Sequence, residues 1–178
     1  MLRRVAIPEF LRELRATIGT RLLFLPGVSA VVFDDRRRVL LVRRADDGRW
    51  TVVGGIPEPG EQPAEAVVRE IQEETAVHAV PERVLSVWTE EPVAYPNGDQ
   101  VQYMSITFLC RAVGGEARVN DDESTEVGWF PLDALPPLGD GCLARIRQAV
   151  GDEPTTWFQA PGQAVTGVVR PAGAHTLR

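Results

Sequence analysis

Hydrophobic and polar positions follow two rhythms along this chain. Phe10, Leu11, Leu14 and Ile18 recur at helical spacing after Pro8, and Gly19 follows, so an amphipathic helix is expected over residues 8–18. The β-branched runs at residues 28–33 and 39–42 flank the polar stretch DDRRR and predict an antiparallel hairpin. A third apolar piece at residues 50–53 follows the turn signal ADDG. Residues 63–75 return to a helical period. Strand-like runs then resume at residues 84–88 and 101–110, with the turn YPNGD at residues 95–99 between them. After Gly114 and Gly115 an acidic segment, NDDESTE, leads into an apolar step at residues 127–130, closed by Pro131. A last helix is expected at residues 143–150. Strands interrupted by few helices favour a layered α/β (α+β) fold over an all-helical one. The organisation expected is a helical extension over residues 1–22, a main domain over 23–152 and a loosely held, aperiodic tail over 153–178.

Composition narrows the classes. A chain of 178 residues, 44% hydrophobic and 25% charged, is an ordinary globular domain with enough apolar content for a real core. The net charge of −6 repels nucleic-acid phosphate and does not favour an anionic membrane, so no nucleic-acid or membrane partner is expected. Any polyanionic substrate must be met by local charge. Cys110 and Cys142 stand far apart and form no CxxC pattern, which excludes a disulfide framework and suits a reducing cytoplasm. Arg3 and Arg4 are followed by Pro8, Glu9, Arg12, Glu13 and Arg15 with no apolar h-region, so a soluble cytoplasmic protein is expected.

The chemistry concentrates on the helix at residues 63–75. At about 100° per residue, Ala64, Val67, Val68, Ile71 and Thr75 share one arc. With Ile71 as centre, Glu74 lies about 60° to one side, Glu70 about 100° and Glu73 about 160° on that same side. Three carboxylates therefore share a flank, and Glu74 sits nearest the apolar boundary, where an unpaired charge is costly. Arg69 is the only cation of this helix, four residues from both Glu65 and Glu73, and cannot serve every acid. Two like charges about 6 Å apart repel by roughly 3 kcal/mol at an effective dielectric of 20, which a hard divalent cation would relieve. Oxygen-only ligands point to Mg2+, or Mn2+. Just upstream, Gly54, Gly55, Pro57, Pro59 and Gly60 make a tight loop whose backbone can approach metal and diphosphate, and Pro63 suits the first helical turn. A plain surface turn with a solvated acidic face is the competing reading of the charge pattern.

The stretch GIPEPGEQPAEAVVREIQEETAV, residues 55–77, resembles the Nudix box: Gly, five residues, Glu, seven residues, then Arg-Glu-aliphatic-any-Glu-Glu-any-Gly-aliphatic. Gly55, Glu61, Arg69, Glu70, Ile71, Glu73, Glu74 and Val77 fit, and Ala76 stands where the family has glycine. Upstream, TVVGG resembles the family's Pro-Gly-Gly with Val53 in place of proline, and the late WFPLDALP resembles its final strand and turn. The likeness covers residues 28–135 and implies an α/β/α sandwich around a mixed sheet. It also implies metal-dependent hydrolysis of a nucleoside diphosphate linked to another moiety. By the same likeness Glu70 and Glu74 are the core metal ligands, with Glu73 and the Gly55 carbonyl completing the site. Arg69 orients the carboxylates, and Glu61 is a secondary ligand or a partner of Arg69.

Water attacking a diphosphate needs a base. The candidates are Glu123, preferred over Glu126 because Glu126 abuts a strand, and Glu73 from the helix itself. Arg43 and Arg44 are candidates for the phosphates, at most one of them facing inward because strand side chains alternate. Trp50, Trp88, Tyr95 and Tyr103 are candidates for stacking on a base or ribose, with core packing as the alternative. His78 and His175 have no partner at metal-ligand spacing. The expected activity is pyrophosphohydrolysis of a small nucleotide such as ADP-ribose, another nucleotide sugar or a (d)NTP. The rival is a nucleotide-binding or regulatory domain without turnover, against which the complete glutamate set speaks. Diphosphate isomerisation would want a cysteine near the substrate, and Cys110 reads as core. The N-terminal helix packs either on its own domain or on a second subunit, and a homodimer is expected.

Overall fold

A computed structural model describes residues 8–95, 97–151 and 154–162. The first half of the chain contributes α1 (Glu9–Ile18), β1 (Leu23–Phe33), β2 (Val39–Arg44), β3 (Trp50–Thr51), β4 (Val53–Gly55) and α2 (Pro63–Thr75). The second contributes β5 (Val77–Thr89), β6 (Val93–Ala94), β7 (Gln100–Gly115), β8 (Ser124–Phe130), α3 (Asp140–Val150) and β9 (Trp157–Phe158).

Alternation along β1 and β2 explains the layering. Val28, Ala30 and Val32 of β1, with Leu40 and Val42 of β2, face α2 and meet Ala66, Val67 and Ile71. The residues between them, Val31, Phe33, Val39 and Leu41, face the other way onto Cys142, Ile146 and Ala149 of α3. Each central strand is thus covered on both sides, which is why it reads as an unbroken apolar run. The result is the expected α/β/α sandwich. One mixed sheet runs in the order β3, β2, β1, β7, β5, β9, with β4 on β1, β6 on β7 and β8 on β2. Among the described residues no helix is long and apolar enough to cross a membrane.

Long-range pairing overrides several local expectations. The β1–β2 hairpin is antiparallel but registers at Phe33 and Val39 alone. Beyond that point β1 pairs in parallel with β7 from Leu23 to Phe33, and β2 pairs with β8. The run expected at residues 84–88 belongs to β5, which starts at Val77; register shifts at His78/Ala79, Pro81/Arg83 and Val84/Ser86 let the ladder absorb a proline and charged residues. The acidic segment ends earlier than expected, so Glu126 lies within β8, opposite Arg43. The last helix begins at Asp140, a turn ahead of residue 143. The tail is not wholly aperiodic: the aromatic pair Trp157–Phe158 adds to the open edge of β5. His175 lies outside the described residues.

The N-terminal helix packs on its own domain. Leu11 is buried with Leu25 of β1 and Val101 of β7, beside Phe10, Ile56, Tyr95 and Tyr103. Arg15 fixes its exit by donating to the carbonyls of Gly19, Arg21 and Gln100, at 3.0, 2.6 and 2.8 Å.

Candidate functional site

Helix α2 is started and stopped by local chemistry. Pro63 stands in its first turn, and the Gln62 amide donates to Glu65 Oε2 at 3.0 Å. At the far end Ala76 takes the left-handed geometry, φ 56° and ψ 14°, and its amide closes on the Gln72 carbonyl at 2.9 Å. The turn the resemblance assigns to glycine is therefore kept, at the strain an alanine carries there. The last carbonyls of the helix are taken up from a distance. Arg118 N donates to Thr75 O at 3.0 Å, Asn120 N to Glu74 O at 3.2 Å and Asn120 Nδ2 to Gln72 O at 3.1 Å. These bonds bring the acidic loop against the glutamates.

The buried face of α2 is turned relative to the sequence reading. Ala64, placed on the inner arc by periodicity, is exposed, whereas Ala66 and Glu74 are buried. The helix has rolled its glutamate flank inward. Glu74 is only 6% exposed and, among the described residues, accepts one hydrogen bond, from the Gly54 amide at 3.3 Å. Burial, with the charges of Glu70, Asp121 and Glu123 added, pushes its carboxyl well above the ordinary range. Glu70 is pushed up to about 7, chiefly by burial, against the opposing pull of Arg69 and with Glu73 and Glu123 adding to the rise.

Arg69 is the hub on the outer side. It donates to Glu61 Oε1 and Oε2, each at 2.9 Å, to Glu70 Oε1 at 2.9 Å, to Glu73 Oε2 at 3.0 Å and to the Ile56 carbonyl at 3.3 Å. A planar guanidinium meets such a ring of acceptors where an ammonium would not. Its hydrogen bond holds the Glu61 carboxyl below the usual range. Glu73, 55% exposed, stands on the rim.

Gly55 fits this arrangement for a steric reason. A Cβ there would lie 2.1 Å from Glu70 Cδ and Oε1, so the missing side chain is the space the carboxyl occupies. The bare turn and the two raised carboxyls form a cluster of oxygen donors with no cation on the Glu74 side among its described hydrogen bonds. Among the described residues no three Asp, Glu, His or Cys side chains close into a metal cage.

Asp121 was missed by the sequence reading. Its Oδ1 accepts the amides of Glu123 at 3.0 Å and Ser124 at 3.3 Å, and burial raises its carboxyl even so. The signal was present in the Asx-turn pattern of NDDES, an aspartate two and three residues before the amides it binds. Glu123 is held by that turn and by its carbonyl, which accepts the Ala45 amide at 2.8 Å, and its charge acts on both Glu70 and Glu74.

The remaining candidates are scattered. Arg43 pairs with Glu126 at 2.5 Å and donates to the Gly48 carbonyl at 2.9 Å. Arg44 is engaged by Asp46, and its charge also reaches Tyr95 and Tyr103. Trp50 is not brought to the glutamates: it meets Phe130 edge to face at 4.9 Å, within the α3-side core. Cys110 is buried in the core and its thiol is pushed up to about 12. His78 is exposed on β5.

A family model described as NUDIX domain matches residues 23–150, leaving α1 outside the match. A putative ADP-ribose pyrophosphatase of Bacillus subtilis is 35% identical over 111 residues, 62% of this chain and 52% of that protein. A human 8-oxo-dGDP phosphatase is 34% identical over 115 residues, 61% of this chain and 33% of that protein. The chain thus spans about half or less of these relatives' length. The crystal structure of a MutT NUDIX hydrolase from Burkholderia pseudomallei superposes with a TM-score of 0.58 at 31% identity, covering 72% of this chain and 99% of that one.

Proposed function

Because the chain belongs to the Nudix family, we propose that it is a Mg2+-dependent pyrophosphohydrolase, cleaving the diphosphate of a small nucleotide in which a nucleoside diphosphate carries a second group. The observation that carries this reading is the pair Glu70 and Glu74, the first half-buried and the second buried, both raised, and both set against the bare Gly54–Gly55 backbone. One similar protein is named as a putative ADP-ribose pyrophosphatase, for a substrate of that class, and another as an 8-oxo-dGDP phosphatase, for a plain nucleoside diphosphate with the same phosphoric anhydride bond.

Glu70, Glu74 and the Gly55 carbonyl would hold the ion, with Glu73 at the rim. When bound, it would screen the phosphate oxygens and acidify the attacking water. The chain's own residues do the rest. Arg69 holds Glu70 and Glu73 in fixed directions, so neither carboxylate must be ordered at the moment of reaction. Asp121 fixes the backbone of Glu123, which accepts the water proton; Glu73, tied to Arg69, is the less mobile alternative. Mn2+ would serve in place of Mg2+ on the same oxygen ligands.

The test is phosphate release from a nucleotide panel with and without Mg2+, repeated for Glu73→Gln, Glu74→Gln and Glu123→Gln. Metal-dependent turnover that Glu74→Gln abolishes supports the reading. Ligand-induced thermal stabilisation with no turnover by the unaltered chain would identify a binding domain instead.

A further inference from the structure

Residues 116–123 join β7 to β8 across the end of α2 with no helix or strand of their own. The acids of this loop stand where like charge pushes them away: Glu123 acts on both Glu70 and Glu74, and Asp121 on Glu74. A segment carrying Asp121, Asp122 and Glu123 retreats toward water from such neighbours unless bonds hold it. Core packing supplies little of that hold. Ala117 packs against the α2-side core, whereas Val119 and Asn120 are exposed.

The hold comes from hydrogen bonds at two points, three residues apart. At the first, Asn120 reaches the last turn of α2 by two routes, its amide donating to the Glu74 carbonyl at 3.2 Å and its Nδ2 to the Gln72 carbonyl at 3.1 Å. Arg118 Nη2 donates to Asn120 Oδ1 at 3.3 Å, so each end of the side-chain amide has a partner of the right kind. At the second, the Glu123 carbonyl accepts the Ala45 amide at 2.8 Å, in the turn after β2. Between the two points Asp121 Oδ1 takes the amides of Glu123 and Ser124, which makes the intervening backbone one bracket. Only a donor satisfies the Gln72 carbonyl. Each of the three residues after Asn120 carries a carboxylate, which accepts but cannot donate when ionised, so the neutral amide at position 120 does what its neighbours could not.

Resting on the hydrolase reading above, we propose that Asn120 is a positioning residue for the reaction: its side chain ties the bracket that carries Glu123 to the helix that carries Glu70 and Glu74, and so sets the place of the base relative to the ion. The carbonyl it holds belongs to the residue just before Glu73, so the bracket follows the glutamates wherever the helix end moves. A residue that merely closed the end of α2 would lower stability when removed and leave the rate of the folded enzyme alone.

Asn120→Ala in the full chain removes the Nδ2 bond and keeps the backbone bonds to Thr75 and Glu74, and two readouts test it. The first, amide hydrogen exchange followed by NMR in metal-free protein, needs neither ion nor turnover. Exchange at Ala45, Glu123 and Ser124 is expected to quicken about threefold to tenfold, the worth of one hydrogen bond, with the β1 amides unchanged. Unchanged exchange at those three amides, or a uniform rise along the chain, overturns the proposal. The second is steady-state kinetics at saturating Mg2+. There kcat is expected to fall about tenfold while KM stays within about twofold and Mn2+ affinity is kept, because the base is displaced by part of an ångström and the other contacts remain. An unchanged kcat, or a loss of Mn2+ affinity that matches the loss of kcat, overturns it. Asn120→Asp keeps the shape and exchanges the donor for an acceptor; it is expected to show both defects, and normal exchange and kcat in that variant overturn the proposal as well. Absence of turnover by the unaltered chain on every nucleotide overturns the hydrolase reading, whereas the exchange readout stands or falls without it.

Discussion

Replacing Gly55 by alanine probes the metal site through a single methyl group. The new Cβ would sit 2.1 Å from Glu70 Cδ and Oε1 and 2.6 Å from Oε2. The carboxyl must therefore retreat by about 1.5 Å to regain ordinary contact. What moves is the far end of a flexible side chain, and Gly55 is not among the positive-φ positions, so the backbone has no objection to a side chain there. The fold should survive, with stability changed by no more than about 1 kcal/mol: the entropy gained from restricting the unfolded chain offsets the loosened Arg69–Glu70 bond. Function should not survive. A ligand misplaced by about 1 Å costs on the order of a hundredfold in rate, and a disturbed ligand orientation costs about tenfold to a hundredfold in metal affinity. Calorimetric unfolding, Mn2+ binding followed by electron paramagnetic resonance, and kcat/KM at saturating Mg2+ measure the three quantities on one preparation. Unchanged Mn2+ affinity and turnover in a folded variant would refute the assignment of Glu70 as a ligand and of Gly55 as the space reserved for it.

Three more expectations follow from the same geometry. Ala76 holds φ 56° at the end of α2, so Ala76→Gly should stabilise by about 1 kcal/mol, read as a rise in Tm of about 2–4 °C; a fall would mean the alanine methyl contributes packing that outweighs its strain. In metal-free protein, Glu70 and Glu74 are raised above their unfolded values, so the native state holds more protons than the unfolded one between the ordinary carboxylate pKa and the raised ones. Stability should fall as pH climbs from about 5 through about 7, and Mg2+ should restore it; scanning calorimetry in chelator at pH 5 and 8, with Glu74→Gln flattening the slope, checks the sign. Arg69→Lys cannot reproduce the bonds to Glu61, Glu70 and Glu73, and kcat/KM should drop about tenfold to a hundredfold; full activity in the lysine variant would show that charge alone suffices.

Local pattern was enough to find α2 and both central strands, because their periods are long and their burial is continuous. It failed where distant contacts decide. The roll of α2 that exposes Ala64 and buries Glu74 follows from the sheet beneath it and from loop amides at Arg118 and Asn120, neither of which a helical wheel contains. The strand expected at residues 84–88 left out Pro81, Glu82 and Arg83, which belong to β5 and are accommodated by shifts in the β5–β7 register. Trp50 looked like a ring available to a nucleotide, but its neighbour Phe130 lies far along the chain on β8. The glutamates themselves were visible from spacing alone. That Asp121 and Glu123 reach them was not, because this depends on hydrogen bonds from the acidic loop to the last turn of α2 and to Ala45.

The parallel ladder from Leu23↔Val101 to Phe33↔Arg111 ties the start of the chain to a strand made much later. During translation β1 therefore leaves the ribosome long before its longest partner exists, and α2 emerges with only part of its floor assembled. Parallel pairings across such separations close slowly, and an apolar strand waiting for its mate is a ready target for a neighbouring nascent chain. The glutamates thus take up their final positions only after β7 has been made, and the burden on chaperones falls on the interval before Gln100–Gly115 appears.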